Sequence, residues 1–381
     1  MIKRILYTLL IMFPVLASAQ INTDRVMAIG RNALYFEDYV LSIQYFNQVI
    51  NAKPYLSDPY FYRGLAKINL DDFQGAESDC SEAIERNPFV VSAYQVRGLA
   101  RIQQNNFAGA IEDYTKALEF DPENIGVWHN MALCRIRQED YKGAKNDLDK
   151  LIAISPRYTK AYLMRGEVDL KQKDTLAAEK DFGKAIEIDR YDADTWASRA
   201  ILRLQQQRYK DAEADFDHAI RLSTRNSGVY INRALARYHQ NNLRGAMSDY
   251  DIALDIDPNN FIGHYNRGLL RAQVGDDNRA IQDFNFVIEM EPDNMMAIFN
   301  RGLLLDQTGD YKGAIKDYST VINEYPNFLL GYQYRAQARR KIGDVKGADA
   351  DEFKVLKAQL DKQNGVDPNK QTADNLSLIH I

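Results

Sequence analysis

The sequence contains few of the residues that most often carry catalysis or bind metal ions. Its 381 residues include only two cysteines and five histidines. It has no His-Glu-x-x-His motif, no Cys-x-x-Cys pair, no glycine-rich phosphate-binding loop and no serine nucleophile elbow. We therefore predict a protein that is not an enzyme and that has no cofactor and no metal site.

Positive charge is not in excess either. The chain has 48 Lys and Arg residues against 53 Asp and Glu residues. Proteins that bind nucleic acids or anionic lipid surfaces usually present a basic patch, so this balance argues against both kinds of partner.

The clearest apolar run lies at the amino terminus. Lys3 and Arg4 precede an apolar stretch over residues 5–16, which Ala17-Ser18-Ala19 follows. This order is typical of a secretory signal peptide with a small-x-small cleavage site, so we predict that residues 1–19 are removed and that the mature chain begins at Gln20. A retained membrane anchor is the alternative, but the stretch is shorter than the about 20 residues that a span needs.

Most of the chain is one repeated unit. A period of 34 residues recurs ten times from Thr23 to Lys362 without insertion or deletion, with repeats beginning at residues 23, 57, 91, 125, 159, 193, 227, 261, 295 and 329. Position 8 is always Gly or Ala and position 20 is Ala in nine repeats, which lets two helices approach closely. Position 32 is proline in seven repeats, and proline ends a helix. Each repeat is therefore predicted to be a pair of helices.

A small residue at position 8, Ala at 20, an aromatic at 24 and Pro at 32 together resemble the tetratricopeptide repeat, over about nine tenths of the chain. The resemblance implies an all-α fold, a right-handed α-solenoid of ten helix-turn-helix repeats over residues 20–362. It also implies that the first helices line a concave inner surface on which partners bind. Cys80 and Cys134 fall at core positions two repeats apart, so we interpret them as buried apolar side chains and not as a disulfide.

Two positions depart from the usual pattern of the family, position 7 and position 11, and position 11 is arginine in six repeats. Position 7 is arginine in eight repeats, and the same eight repeats have aspartate at position 23. An arginine fork matches a carboxylate, so we predict structural ion pairs between the two helices of each repeat, with anion binding by the arginines as the alternative. The fourth repeat has Met131 where the others have arginine, opposite Asp147. The predicted pairs are Arg63 with Asp79, Arg97 with Asp113, Arg165 with Asp181, Arg199 with Asp215, Arg233 with Asp249, Arg267 with Asp283, Arg301 with Asp317 and Arg335 with Asp351.

The predicted inner surface combines apolar side chains with amides. Three consecutive repeats carry asparagine at position 6, and a helix spacing of about 10 Å is close to the rise of three extended residues. Each amide could therefore meet a peptide backbone, although asparagine is frequent at this position of the family and water binding is the alternative. The predicted peptide-binding residues are Asn130, Leu133, Asn232, Leu235, Tyr265, Asn266, Leu269, Phe299, Asn300 and Leu303.

These features predict an exported scaffold that binds an extended peptide segment or a partner domain along its concave surface, in the periplasm of a Gram-negative bacterium. The alternative is the targeting arm of a larger envelope enzyme or sensor whose carboxyl-terminal domain is missing from this sequence. Residues 363–381 are predicted to be a disordered tail. We interpret the last six residues, from Leu376 to Ile381, as the translation of a sequencing adapter.

Overall fold

A computed structural model describes residues 22–222 and 225–363 of the chain. Within these ranges it contains twenty α-helices and no β-strand. The predicted signal peptide and the predicted tail beyond Gln363 lie outside the described residues. Across the same ranges, every helix is too short or too polar to qualify as a membrane span.

Each repeat forms two helices, as the 34-residue period predicts. The first helices are α1 (Thr23–Tyr35), α3 (Asp58–Ile68), α5 (Val91–Gln103), α7 (Ile125–Arg137), α9 (Thr159–Lys171), α11 (Ala193–Gln205), α13 (Ser227–His239), α15 (Phe261–Gln273), α17 (Met295–Thr308) and α19 (Leu329–Lys341). The second helices are α2 (Tyr39–Ala52), α4 (Phe73–Arg86), α6 (Phe107–Phe120), α8 (Tyr141–Ile154), α10 (Thr175–Ile188), α12 (Tyr209–Arg221), α14 (Leu243–Ile256), α16 (Asp277–Met290), α18 (Tyr311–Glu324) and α20 (Val345–Gln363).

The chain divides into two compact units, which meet in sequence between Arg190 and Tyr191. Within each unit, the two helices of a repeat pack against each other, and each second helix packs against the first helix of the next repeat. The hydrophobic clusters accordingly combine consecutive repeats, as where Tyr94 and Tyr114 of the third repeat pack with Met131 of the fourth. The predicted all-α fold of tandem helix-turn-helix repeats is confirmed.

The small residues at position 8 lie against the ring at position 24. A Cβ atom added to Gly98 in α5 would lie 2.8 Å from a ring carbon of Tyr114 in α6. This is closer than van der Waals contact, so a larger side chain would force the two helices apart. Cys80 replaces the aromatic residue in the second repeat, and its thiol is buried and free. Burial raises the pKa of Cys80 to about 12, which keeps the thiol protonated.

The turn inside each repeat has one conformation throughout. Position 15 has a positive φ in all ten repeats; it is glycine in the last three, at Gly275, Gly309 and Gly343, and another residue in the first seven. An aspartate or asparagine usually follows and caps the second helix, as Asp72 accepts a hydrogen bond from the backbone N–H of Gly75 at 2.9 Å. The two helices of a repeat are therefore joined by the same left-handed turn each time.

Candidate functional site

The structure brings together all eight predicted Arg–Asp pairs. In the seventh repeat, Arg233 Nε lies 2.9 Å from Asp249 Oδ2 and Nη2 lies 2.6 Å from Oδ1, so the contact is bidentate. The side chains of Arg233 and Asp249 are 11% and 1% exposed. Because the carboxylate is buried, loss of its arginine would leave a charge with too few partners. The pair joins the first helix of the repeat, α13, to the second helix, α14.

The third nitrogen of most of these arginines reaches back into the preceding repeat. Arg233 Nη1 lies 2.7 Å from Asp217 Oδ1 in α12. Arg97 and Arg301 make the equivalent contact with Ser81 at 3.1 Å and Asn285 at 2.8 Å. Each such guanidinium therefore connects three helices of two consecutive repeats, and its three nitrogens all donate to protein acceptors.

Sequence reasoning missed this second connection, although the sequence carries a signal for it. The acceptor is always at position 25 of the preceding repeat, and that position is polar before seven of the eight arginines. The exception is Gly183, which precedes Arg199. The seven polar residues are Asn47, Ser81, Asp149, Asp217, Asp251, Asn285 and Ser319.

Six of the eight arginines at position 7 also stack on the aromatic ring at position 4. The guanidinium carbon of Arg233 lies 5.6 Å from the centre of the Tyr230 ring, and that of Arg199 lies 5.1 Å from the Trp196 ring. The positive charge meets the negative face of the ring, which adds a cation–π contact to the ion pair. The aromatic residue at position 4 thus orients the arginine in addition to packing.

We call the position-7 arginine, the position-23 aspartate and their contacts the cluster of a repeat. In several repeats a second basic residue, at position 11, also contacts the aspartate of this cluster. Arg237 Nη1 lies 2.9 Å from Asp249, and its Nε lies 2.8 Å from Glu213 of the preceding repeat. Between the fourth and fifth repeats the two charges are exchanged, because Asp169 lies at position 11 and Lys145 of the preceding repeat lies where Glu213 lies in the sixth. Lys145 Nζ is 2.5 Å from Asp169. An ion pair therefore connects consecutive repeats with either arrangement of the two charges.

The fourth repeat has an incomplete cluster. Met131 replaces the arginine, and Asp147 has one cationic partner, Arg135, at 3.2 Å. Asp147 Oδ2 is buried, and none of the residues that the structure describes forms a hydrogen bond with it. Burial raises the pKa of Asp147 to about 6, against the opposing effect of the Arg135 charge. This carboxylate is therefore the least well compensated of the buried position-23 aspartates.

The predicted amides of the seventh to ninth repeats lie on α13, α15 and α17. Asn232, Asn266 and Asn300 are half-buried. The side chains of Asn232 and Asn266 make no hydrogen bond within the described residues, whereas Asn300 Nδ2 donates to the hydroxyl of Tyr265 at 3.1 Å. Since α15 and α17 are in contact, Tyr265 and Asn300 belong to one continuous surface. The leucines at position 9 of these repeats, also half-buried, are Leu235, Leu269 and Leu303.

Phe299 departs from the prediction. It is 2% exposed and therefore belongs to the core and not to the accessible inner surface. Its ring packs 5.1 Å from the ring of Phe328 and 5.9 Å from that of Tyr334 in the next repeat. Tyr265, at the same position one repeat earlier, remains partly exposed and packs edge-on against Phe284. Burial raises the pKa of Tyr265.

The other two predicted peptide-binding residues lie in the first compact unit. Asn130 and Leu133 are half-buried on α7. Next to them, His129 Nδ1 lies 3.3 Å from the Tyr158 hydroxyl of the following repeat. The structure therefore places the ten predicted residues in two groups, one in each compact unit. The described residues bring together no group of three or more His, Cys, Asp or Glu side chains that could hold a metal ion.

Three family models match this chain. One described as a TPR repeat covers residues 98–134, a second covers 125–158 and 159–192, and a third covers 198–261 and 265–327; the last two are described as tetratricopeptide repeats. The chain belongs to the tetratricopeptide repeat family. The helix pairs and the family models thus agree, and the resemblance of the 34-residue unit is confirmed.

A solved tetratricopeptide repeat structure shares the fold, and further solved structures are similar over part of the chain. A protein from Parabacteroides merdae has 21% sequence identity and a TM-score of 0.51, and the match covers 65% of this chain and 98% of that one. The pilF protein of Pseudomonas aeruginosa has 19% identity and a TM-score of 0.48, with 57% and 97% covered. YrrB, described as a TPR protein with an unusual peptide-binding site, has 20% identity and a TM-score of 0.40, with 48% and 95% covered. No curated protein matches the chain.

Proposed function

We propose that this tetratricopeptide repeat protein is a non-enzymatic scaffold that binds an extended protein segment along the inner surface of its seventh to ninth repeats. Repeats of this family generally mediate protein–protein interaction. The observation that carries the proposal is the pair of half-buried amides, Asn232 and Asn266, whose side chains form no hydrogen bond with the residues that the structure describes. A half-buried amide has two donors and an acceptor available for a peptide backbone.

The side chains around the amides suit a segment and not a small molecule. Leu235, Leu269 and Leu303 recur at the same position of each repeat, so the apolar surface continues from one repeat to the next. An extended chain can place successive apolar side chains on such a row, while its backbone meets the amides. The arginines do not contribute to this surface, because their nitrogens are engaged with protein acceptors.

Replacing the three asparagines tests the proposal. We expect the Asn232→Ala, Asn266→Ala, Asn300→Ala variant to fold normally and to lose partners that the native protein captures from an envelope extract. The matched control changes Asn51, Asn146 and Asn278 to alanine, because these exposed asparagines make no side-chain hydrogen bond within the described residues. Equal capture by the native protein and the inner-surface variant would refute the proposal.

Export of the protein is part of the same proposal. The order of basic residues, apolar stretch and Ala17-Ser18-Ala19 supports cleavage before Gln20 and release into the periplasm. Amino-terminal sequencing of the protein from a periplasmic fraction is expected to begin at Gln20. An intact Met1 in the membrane fraction would support the membrane anchor instead.

A further inference from the structure

The segments that join the last repeats expose apolar side chains. Ile262 is 51% exposed at the start of α15, Met290 is 52% exposed at the end of α16, and Met296 is 38% exposed at the start of α17. Ile262 and Met296 occupy position 2 of their repeats, and this position is Asp, Ser, Lys or Gly in the first seven repeats. The helix pairs therefore form without an apolar side chain at position 2, and packing within the repeats does not explain Ile262 and Met296.

Two of these exposed side chains lie at the same position of neighbouring repeats. Ile262 and Met296 occupy position 2 of the eighth and ninth repeats, and Leu330, at position 2 of the tenth, is half-buried against the core. The helices that carry them are in contact, α15 with α17 and α17 with α19. The same position on adjoining helices gives an apolar row that crosses the repeats. Methionine is unbranched and flexible, and it is common on surfaces that adapt to a partner.

The same segments are acidic. Residues 245–266, 280–300 and 317–334 contain no lysine or arginine. Asp255, Glu289 and Asp293 are exposed and form no ion pair within the described residues. The six carboxylates of the joining segments are Asp255, Asp257, Glu289, Glu291, Asp293 and Glu324.

The placement of two of these acids opposes helix stability. Asp255 and Glu289 lie in the last turns of α14 and α16, where the partial charge of the helix end is negative. A cation there would stabilise the helix, whereas an anion destabilises it. Their charge therefore has no explanation in the stability of the helices, whereas it complements a positively charged partner.

We propose that the acidic, apolar edge formed by Ile262, Met290 and Met296 with Asp255, Glu289 and Asp293 binds a basic amphipathic segment of a partner protein. The inference rests on the proposed function in taking a protein segment as the partner, and it adds the charge and the apolar character of that segment. An anionic lipid or a nucleic acid would be repelled by the carboxylates.

Two probe peptides of equal length test the charge of the partner. One alternates leucine with lysine and the other alternates leucine with glutamate, and both carry a fluorescent label for anisotropy titrations. We expect the lysine peptide to bind the native protein at least about tenfold more tightly than the glutamate peptide at low salt. Equal affinity for the two peptides, or binding of neither, would overturn the proposal.

Charge reversal locates the site. The Asp255→Lys, Glu289→Lys, Asp293→Lys variant is expected to weaken binding of the lysine peptide by about tenfold or more. The matched control, Glu37→Lys with Glu112→Lys and Glu139→Lys, changes the net charge equally at exposed positions outside the edge. Equal loss in the two variants would show that net charge alone attracts the peptide, and would overturn the assigned site.

Apolar substitutions test the other half of the proposal. We expect Ile262→Ser, Met290→Ser and Met296→Ser together to weaken binding. Leu176→Ser, Val274→Ser and Val345→Ser, exposed at the turns within the repeats, are expected to leave it unchanged. Unchanged binding in the first variant would overturn the apolar contact. Self-association of the native protein that disappears on charge reversal would show instead that the edge contacts a second copy of the chain.

The asparagine variant separates this inference from the proposed function. If the Asn232, Asn266 and Asn300 variant binds the lysine peptide normally, the acidic edge acts without the amides. If the native protein binds neither probe but loses its captured partners in the asparagine variant, the edge fails and the inner-surface site stands.

Discussion

The fourth and seventh repeats share a buried aspartate at position 23 and an arginine at position 11, but they differ at position 7. In the seventh, Arg233 and Arg237 share the buried Asp249. In the fourth, Met131 leaves Arg135 alone with Asp147, and one carboxylate oxygen has no partner. Both repeats nevertheless form the same pair of helices. The comparison shows that the position-7 arginine is not required for the helix pair and that it compensates a buried charge.

The neighbours of Met131 include groups that contact the arginine in other repeats. The Trp128 ring lies at position 4, where six other repeats provide a cation–π contact. Thr115 Oγ1 lies 4.0 Å from Met131 Sδ, at the position where other repeats accept the Nη1 hydrogen bond. The fourth repeat thus keeps the hydrogen-bond acceptors Asp147 and Thr115 but lacks the arginine that would donate to them.

Converting the seventh repeat into a copy of the fourth is expected to have the largest effect. Arg233→Met leaves Asp249 with Arg237 alone, at an expected cost of about 3 kcal/mol because a buried charge loses its main partner. The thermal midpoint should fall, and the double variant Arg233→Met, Asp249→Leu should recover much of the loss. Circular dichroism melting curves measure both; an equal loss in the two variants would defeat a structural role for the pair.

The reverse change in the fourth repeat is expected to stabilise the protein. Met131→Arg gives the buried carboxylate of Asp147 a bidentate partner, which we expect to contribute about 1–3 kcal/mol at neutral pH. Melting curves of the variant and the native protein near neutral pH provide the measurement. An unchanged or lowered thermal midpoint would mean that the arginine side chain does not form the bidentate contact with Asp147.

The gain in stability from Met131→Arg should increase as the pH rises. The pKa of Asp147 is raised from 3.8 to about 6, so the proton binds the folded state more tightly than the unfolded state. This stabilisation is present below about pH 3.8 and is lost as the pH rises through about 6. The advantage of Met131→Arg should therefore be largest above pH 6 and should shrink on acidification. A constant advantage at all pH values would argue against a role for Asp147.

A smaller effect is expected at the acceptor from the preceding repeat. Ser81→Ala removes the acceptor of Arg97 Nη1 and should cost about 0.5–1.5 kcal/mol. Thr115→Ala, at the same position before Met131, should cost less because methionine offers no N–H. In the Met131→Arg background, the cost of Thr115→Ala should rise to that of Ser81→Ala. The same cost for Thr115→Ala in both backgrounds would contradict the equivalence of the two sites.

The sequence predicts the helix pairs and the Arg–Asp pairs because both rest on positions that recur in nearly every repeat. The contact with the preceding repeat was harder to predict, because its acceptor is Asn, Ser or Asp in different repeats. The role of the polar residue at position 25 can be recognised only when the structure shows that it lies next to the arginine of the following repeat.

The exposure of the inner surface could be predicted only in part. Phe299 and Tyr265 share position 5, but the next repeat offers a bulky Tyr334 to Phe299 and a smaller Asn300 to Tyr265. The different exposure of Phe299 and Tyr265 therefore goes with a different neighbour in the following repeat. A single-repeat pattern does not contain that information.

Amide hydrogen exchange of Arg233→Met most directly tests the claim that each arginine couples two repeats. Arg233 contacts Asp217 in α12 and Asp249 in α14. We expect faster exchange in both α12 and α14 and no change in α18, which the cluster does not reach. Acceleration confined to α13 and α14 would contradict the coupling between repeats.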